Sequence, residues 1–136
     1  MPEASRVLIA GEARGPVLVL DEPLSFWGGF DAESGTIIDQ AHPQVGESLV
    51  GKVVMMTVGR GSSSASSVLA EAIRDGMAPA ALVLMESDEI IVLGAIIAEE
   101  MYDITMPIAI VDTATYDEVA RADTAVIAPD GTISTG

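Results

Sequence analysis

Three consecutive serines follow a glycine-rich turn in the run Gly-Arg-Gly-Ser-Ser-Ser at residues 59 to 64. The apolar residues before it, 52 to 58, are typical of a strand buried on both faces, and residues 65 to 75 have the apolar spacing of a helix. The first N–H groups of a helix lack partners within it, and the positive end of its dipole attracts anions. The turn therefore predicts a site that binds a carboxylate or phosphate and exposes the hydroxyl of Ser62.

Two interpretations of these serines stay open at the level of local sequence. Serine is a preferred N-cap, so the serines could serve only to begin the helix. Better-known catalytic motifs do not match, because no lysine lies near the turn and the order of G-x-S-x-G is absent. A Ser-His-Asp triad would need His42, the only histidine, and a histidine before proline in a turn region predicts a surface residue instead.

A serine hydroxyl in this turn needs help to act as a base. It holds its proton more tightly than the tyrosine hydroxyl, whose pKa is about 10. The helix end contributes about 1 kcal/mol, and Arg60 at about 4 Å contributes about 4 kcal/mol at an effective dielectric constant of about 20. Together they make the proton roughly four orders of magnitude easier to remove, which is not enough at neutral pH. A metal or a water-excluding closed site has to supply the rest, and we expect it from elsewhere.

The composition limits the classes of partner and cofactor. The chain has 21 acidic and 6 basic residues and a net charge of −15, so it cannot neutralise the phosphates of a nucleic acid. It has no cysteine and one histidine, which excludes disulfides and cysteine- or histidine-rich metal sites within it. The N-terminus lacks the pattern of a signal peptide, and apolar stretches such as residues 90 to 98 are about half the ~20 residues of a membrane span. We therefore expect a cytoplasmic protein with no membrane partner and no cofactor of its own.

The middle of the chain alternates strands and helices. Besides the strand before the serines, residues 80 to 85 and 107 to 111 are apolar enough to be buried strands. Residues 90 to 101 predict a short apolar segment that leads into a helix. Thr113 or Thr115 is the expected N-cap of a further short helix.

The two ends of the chain are richer in strands. Residues 6 to 10 and 16 to 20 predict a hairpin, and residues 124 to 128 and 132 to 134 predict another around a Pro-Asp-Gly turn. The pattern predicts an α/β fold with mixed sheets and a helical layer, in a single domain over residues 1–136.

Several short stretches also occur in the order in which a known family has them. They lie between residues 7 and 111 and read Leu24-Ser25-Phe26-Trp27-Gly28-Gly29-Phe30-Asp31, Thr36-Ile37-Ile38-Asp39, His42-Pro43 with Gly46, Gly51-Lys52-Val53-Val54, Gly59-Arg60-Gly61-Ser62-Ser63-Ser64, Ala78-Pro79-Ala80-Ala81 and Leu93-Gly94-Ala95. In these stretches the chain resembles the small subunit, or swivelling domain, of the aconitase-X dehydratases.

The resemblance implies a swivelling β/β/α domain that closes over a large aconitase-X-type subunit. It implies that Ser62 is the catalytic base that takes the substrate proton, and that Arg60, Gly61 and Ser63 bind the substrate. The iron or iron–sulfur centre that activates the leaving hydroxyl would belong to the large subunit.

Members of this family act on one of two small hydroxy acids, 5-phosphomevalonate or cis-3-hydroxy-L-proline. The Phe-Trp-Gly-Gly segment looks more like the type that dehydrates cis-3-hydroxy-L-proline, although that type often has cysteine where this chain has Ser63. The leading hypothesis is the small subunit of a hydro-lyase, active only with its large subunit. The alternative is a non-catalytic module that uses the Gly-Arg-Gly-Ser helix N-terminus to bind an anion or a partner.

Overall fold

The computed structural model describes residues 3–4, 6–59 and 63–136. Within these ranges a seven-stranded mixed sheet and a two-stranded sheet combine with three helices. The elements in chain order are β1 (Arg6–Ile9), β2 (Ala13–Val19), β3 (Phe30–Asp31), β4 (Thr36–Ile37), β5 (Val53–Met55), α1 (Ala65–Arg74), β6 (Ala81–Leu84), α2 (Glu89–Tyr102), β7 (Ile108–Ile110), α3 (Thr113–Ala120), β8 (Thr124–Ile127) and β9 (Ile133–Thr135).

The large sheet has a parallel centre and antiparallel flanks. Its strand order is β1-β7-β6-β5-β2-β8-β9. Strands β2, β5, β6 and β7 run parallel, whereas β1, β8 and β9 are antiparallel to their neighbours. The carboxyl ends of the four parallel strands therefore lie at one edge, which we call the carboxyl edge. Helices α1, α2 and α3 begin in the connections that leave this edge.

Two separate cores lie on the two faces of the sheet. Because side chains alternate along a strand, Val54 and Leu82 pack against α1 and α2, while Val53 and Val83 point the other way. The second face is covered by α3 and by β8 and β9, whose Ile127 and Ile133 belong to the same cluster. The sheet thus curls back on itself, and α1 and α2 form the helical layer on its other side.

The mixed α/β class and the three central strands are confirmed. All residues of β5, β6 and β7 are buried, as their continuous apolar sequence predicts. The predicted helix after the serines is α1, and the hairpin around the Pro-Asp-Gly turn is the β8–β9 pair. Among the described residues, no helix combines the length and apolarity needed to cross a bilayer.

The predicted hairpin between the first two strands is wrong. β1 pairs with β7, whereas β2 is bonded to β5 on one side and β8 on the other. An apolar strand gains most when both of its edges are bonded within the sheet, and β2 then has no free edge for β1. The apolar segment expected before the second helix is also wrong, because that segment forms part of the helix α2.

The N-cap of α3 is Asp112, so the prediction of Thr113 or Thr115 is wrong. The Thr115 backbone N–H donates to Oδ1 of Asp112 over 2.8 Å. This bond holds the pKa of the Asp112 carboxyl below its ordinary value of 3.8. An ionised carboxylate accepts this bond more strongly than a threonine hydroxyl does, which explains the choice of cap.

This cap predicts a specific pH dependence of stability. Because the folded pKa of Asp112 is lowered, its contribution is present above pH 3.8 and is lost as the pH falls through the folded value. We expect Asp112→Ala to lower the melting temperature by a few degrees at pH 7. The difference in melting temperature between this variant and the wild type, which we call the gap, should become smaller below pH 4. Thermal unfolding of both chains between pH 3 and 7 measures this gap. A gap that stays constant with pH would contradict the assignment.

Candidate active site

The carboxyl edge brings together the connections that follow the four parallel strands. Residues 56 to 59 follow β5, residues 85 to 88 follow β6, residues 111 and 112 follow β7, and residues 20 to 29 follow β2. The carbonyl oxygen of Thr57 accepts hydrogen bonds from the backbone N–H groups of Met85 and Glu86, at 2.9 and 3.0 Å. These bonds tie the exits of β5 and β6 to each other. Such an edge is the usual place for a ligand in an open α/β sheet.

Three of the four predicted site residues, Ser62, Arg60 and Gly61, lie outside the described residues. The residues on either side are Gly59 and Ser63, and the side chain of Ser63 is exposed. Its carbonyl oxygen accepts hydrogen bonds from the backbone N–H and the hydroxyl of the buried Ser66, at 3.3 and 2.8 Å. These two bonds fix the backbone immediately after the predicted base.

The first turn of α1 is not capped by Ser64. This residue occupies the N-cap position with helical angles, φ −65° and ψ −20°, and its side chain makes no capping bond with the described residues. A capping hydroxyl needs an extended backbone in order to reach the N–H groups one turn ahead. The capping interpretation therefore fails for Ser64.

The turn before the serines lies directly against α2. Gly59 is buried, and a Cβ atom placed on it would overlap Cδ1 of Ile91 and lie 2.6 Å from Oδ2 of Asp88. A side chain there would have to displace the end of the Ile91 side chain and the carboxylate of Asp88. The close approach explains why glycine stands at this position and fixes the turn relative to the second helix.

Asp88 is the residue that holds this end of α2. Its backbone is extended, and its Oδ1 accepts hydrogen bonds from the N–H groups of Ile90 and Ile91, at 2.9 and 3.1 Å. The sequence interpretation missed it because it expected an apolar segment here. The signal was present: an aspartate followed by glutamate and then by an apolar helical run is an N-terminal helix pattern.

The N-terminal turn of α1 also crosses α2 at close range. A Cβ atom on Gly94 would lie 2.9 Å from the carbonyl oxygen of Ser66 and 3.2 Å from Cβ of Leu69. Glycine at this crossing lets the two helix backbones approach each other. The start of α2 therefore lies against Gly59, and its middle lies against the first turns of α1 at Gly94.

His42 is buried, contrary to the surface position predicted for it. It is 3% exposed; Nδ1 accepts a hydrogen bond from the Gln44 N–H over 3.0 Å, so Nε2 donates to the Glu22 carbonyl, also at 3.0 Å. Both ring nitrogens are thus occupied by backbone groups, and His42 serves no serine as a base. Its role is to fix the segment after β2.

Gln44 supports the same segment. Its Oε1 accepts from the Asp21 N–H over 2.8 Å, and its Nε2 donates to the Val19 carbonyl over 2.7 Å. The chain leaving β2 is therefore clamped by two buried or partly buried side chains before it reaches residues 25 to 29. Sequence reasoning gave no role to Gln44, because amide side chains that bind distant backbone carry no local signal.

The groups at this edge do not form a metal site. A cleft of about 420 Å³ is lined in part by Thr57, Glu86 and Asp112. Among the described residues, no group of three or more histidine, aspartate or glutamate side chains is placed to hold a metal ion, and the chain has no cysteine. The residues present do not fit a metal centre, and they can contribute hydroxyl groups, helix N–H groups and shape.

Comparison with known proteins identifies close relatives over nearly the whole chain. A family model described as the aconitase X swivel domain matches residues 3–135. A cis-3-hydroxy-L-proline dehydratase of Pseudomonas aeruginosa is 48% identical over 115 residues, which are 85% of this chain and 20% of that protein. A phosphomevalonate dehydratase small subunit of Methanothermobacter thermautotrophicus is 46% identical over 93 residues, 68% of this chain and 71% of that subunit.

A solved structure has the same fold. The crystal structure of Thermococcus kodakaraensis aconitase X in its holo-form superimposes with a TM-score of 0.83 and 28% identity, covering 100% of this chain and 98% of that chain. This chain therefore matches whole chains of some relatives, but it spans only about a fifth of the Pseudomonas dehydratase.

Proposed function

Since the chain belongs to the aconitase X swivel-domain family, we propose that it is the small, swivelling half of a hydro-lyase and acts only with a large subunit. Residues 1–136 would move as one domain that carries Ser62 to a substrate held by the partner. A cytoplasmic location goes with this proposal, because a cysteine-free chain has no need of an oxidising compartment.

The observation that carries this proposal is the start of α1 at the carboxyl edge, where the side chain of Ser64 makes no capping bond with the described residues. Gly59 and Ser63 bracket the predicted base, and both are held in place, by α2 and by Ser66. The side chain of Ser64 caps none of the described N–H groups, and N–H groups in the first turn of a helix can donate to an external acceptor. A substrate carboxylate is such an acceptor and suits the positive end of the helix dipole.

In the proposed reaction, Ser62 takes a proton from the carbon next to a carboxylate or an imine-forming carbon. The electron pair of the broken C–H bond forms the new double bond, while the bond to the hydroxyl oxygen breaks and hydroxide leaves on the partner's side. Arg60 stabilises the deprotonated serine and also binds the substrate, together with the backbone of Gly61 and the hydroxyl of Ser63.

Departure of the hydroxyl group is the step for which this chain offers no metal centre among its described residues. Its described residues do not fit a metal centre, and the chain is acidic. We propose that the iron or iron–sulfur centre belongs to the large subunit, and that this chain contributes the base, the carboxylate site and the exclusion of water.

cis-3-Hydroxy-L-proline is the first candidate substrate. The relative that dehydrates it is 48% identical over 85% of this chain. The substrate carries a carboxylate and an ammonium, so its binding requires less positive charge than a phosphate monoester does. 5-Phosphomevalonate is the second candidate, supported by the 46% identity of the small subunit named for it.

The test is reconstitution with the large subunit of the same organism. We expect neither subunit alone to dehydrate cis-3-hydroxy-L-proline or 5-phosphomevalonate, and the mixture to release water from one of them at a rate that saturates with the small subunit. Product formation is followed by mass spectrometry. An inactive mixture, together with phosphate or carboxylate binding by the isolated chain, would favour the non-catalytic anion-binding module instead.

A further inference from the structure

The only tryptophan of the chain, Trp27, is exposed although both of its aromatic neighbours are buried. Its exposed fraction is 57%, while the buried rings of Phe26 and Phe30 meet edge to face with centroids 5.1 Å apart. The hydroxyl of Ser25 accepts a hydrogen bond from the Trp27 N–H and donates one to the Trp27 carbonyl, at 3.2 and 2.9 Å. These bonds fix the backbone of Trp27, whose side chain is exposed to solvent.

Trp27 borders an open depression of about 500 Å³. The apolar part of its lining includes Ile38, which is also exposed, and Val68 of α1. Three carboxylate-bearing residues, Asp31, Glu33 and Glu71, also line it, and we call them its acidic rim. A held aromatic side chain within an apolar patch and a charged rim is the arrangement found at protein interfaces.

The depression lies beside the serine run. The N–H of Val68 donates to the carbonyl of Ser64 over 3.4 Å, so the two residues are one helical turn apart. The segment that carries Trp27 leaves the carboxyl edge directly after β2, the neighbour of β5 in the sheet. The depression and the serine run are therefore neighbours, close enough for one partner surface to contact both.

We propose that the depression around Trp27 is the surface on which the large subunit docks, with the indole inserted in an apolar pocket that lysine or arginine side chains surround. The proposal rests on the proposed function, which requires such a partner. A second copy of this chain is the less favourable occupant, because each copy carries a net charge of −15 and an acidic rim at this surface.

The single tryptophan makes a direct test possible in the wild-type protein. The chain is labelled with 5-fluorotryptophan and titrated with the unlabelled large subunit while the lone ¹⁹F resonance is followed. We expect the resonance to shift and to lose most of its H₂O/D₂O isotope effect as the complex forms. A resonance that stays unchanged at saturating partner would overturn the proposal. So would a resonance that changes in the isolated chain as its own concentration rises, because the surface would then bind a second copy.

Two substitutions give a matched comparison by calorimetry. Leu93 on the outer face of α2 is 45% exposed and lies away from the depression, so Leu93→Ser serves as the control for Trp27→Ser. We expect Trp27→Ser to weaken binding of the large subunit about 30-fold or more, and Leu93→Ser to change it less than about 3-fold. Circular dichroism checks that both variants fold. Equal losses in the two variants would overturn the proposal.

The acidic rim predicts a salt dependence of binding to the large subunit, which a purely structural role of Trp27 would not produce. Glu33→Lys should weaken binding at low salt, and this difference from the wild type should shrink as salt screens the charges. Calorimetry measures binding without turnover. A complex that binds through Trp27 but dehydrates neither substrate would therefore refute the proposed function and leave the docking surface standing.

Discussion

Replacing Ser62 by alanine is expected to lower the turnover of the reconstituted complex by about 10³-fold or more. General-base catalysis contributes on the order of 10²–10⁴-fold. The described histidine, His42, has both ring nitrogens bound to backbone groups. Affinity for the large subunit should stay within about 3-fold of the wild type, since the substitution removes only one oxygen atom. Steady-state kinetics and calorimetry measure the two effects separately.

The control for this experiment is Ser67→Ala. Ser67 is an exposed serine of α1, five positions after the predicted base in the sequence. We expect Ser67→Ala to keep turnover within about 3-fold of the wild type. Near-normal turnover of Ser62→Ala would show that the proton is taken by another group.

Substituting alanine at Gly59 is expected to lower turnover by about 10²-fold, although Gly59 itself touches no substrate. The added Cβ atom would overlap Cδ1 of Ile91 and press on Oδ2 of Asp88. The end of the Ile91 side chain, the capping carboxylate of Asp88 or the turn at Gly59 must shift. We expect part of the shift to reach the serines, and a displacement of about 1 Å at a reacting group costs on the order of 10²-fold. The same strain should lower the free energy of unfolding by about 1–3 kcal/mol. Kinetics of the complex and urea unfolding of the chain test the two effects.

A rescue experiment separates this close contact from a general loss of stability. Ile91→Val removes the Cδ1 atom, and Asp88→Ser keeps a capping hydroxyl on a shorter side chain. Combined with Gly59→Ala, they should restore at least about 10-fold of the lost turnover. In a chain that keeps glycine at position 59, Ile91→Val and Asp88→Ser together should alter turnover less than about 3-fold. No recovery in the triple variant would contradict the role assigned to the contact.

The parts of the fold that sequence predicted are those whose signal is local. The continuous apolar runs gave β5, β6 and β7, because a strand buried on both faces can be recognised by itself. α1 was recognisable from its apolar spacing. The pairing of β1 was not predicted, since its partner β7 lies about a hundred residues away and adjacent strands usually pair first.

The candidate site likewise combines a local sequence signal with contacts between residues far apart in the chain. The serine run is visible in the sequence, but the groups that hold it are distant in the chain. Asp88 and Ile91 of α2 limit Gly59, and Ser66 meets Gly94 across the two helices. Such contacts depend on how helices cross, and neither composition nor motif spacing contains that information. His42 was placed on the surface for the same reason, because its backbone partner Glu22 is 20 residues away.

The most direct test of the split active site is a competition between wild-type and Ser62→Ala chains for a limiting amount of the large subunit. The variant should occupy the large subunit without supplying the base. Dehydration should then fall in proportion to the fraction of variant present, to half the wild-type rate at an equal mixture of the two chains. A rate that does not fall as the variant is added in excess would contradict the assignment of Ser62 as the base that this chain brings to its partner.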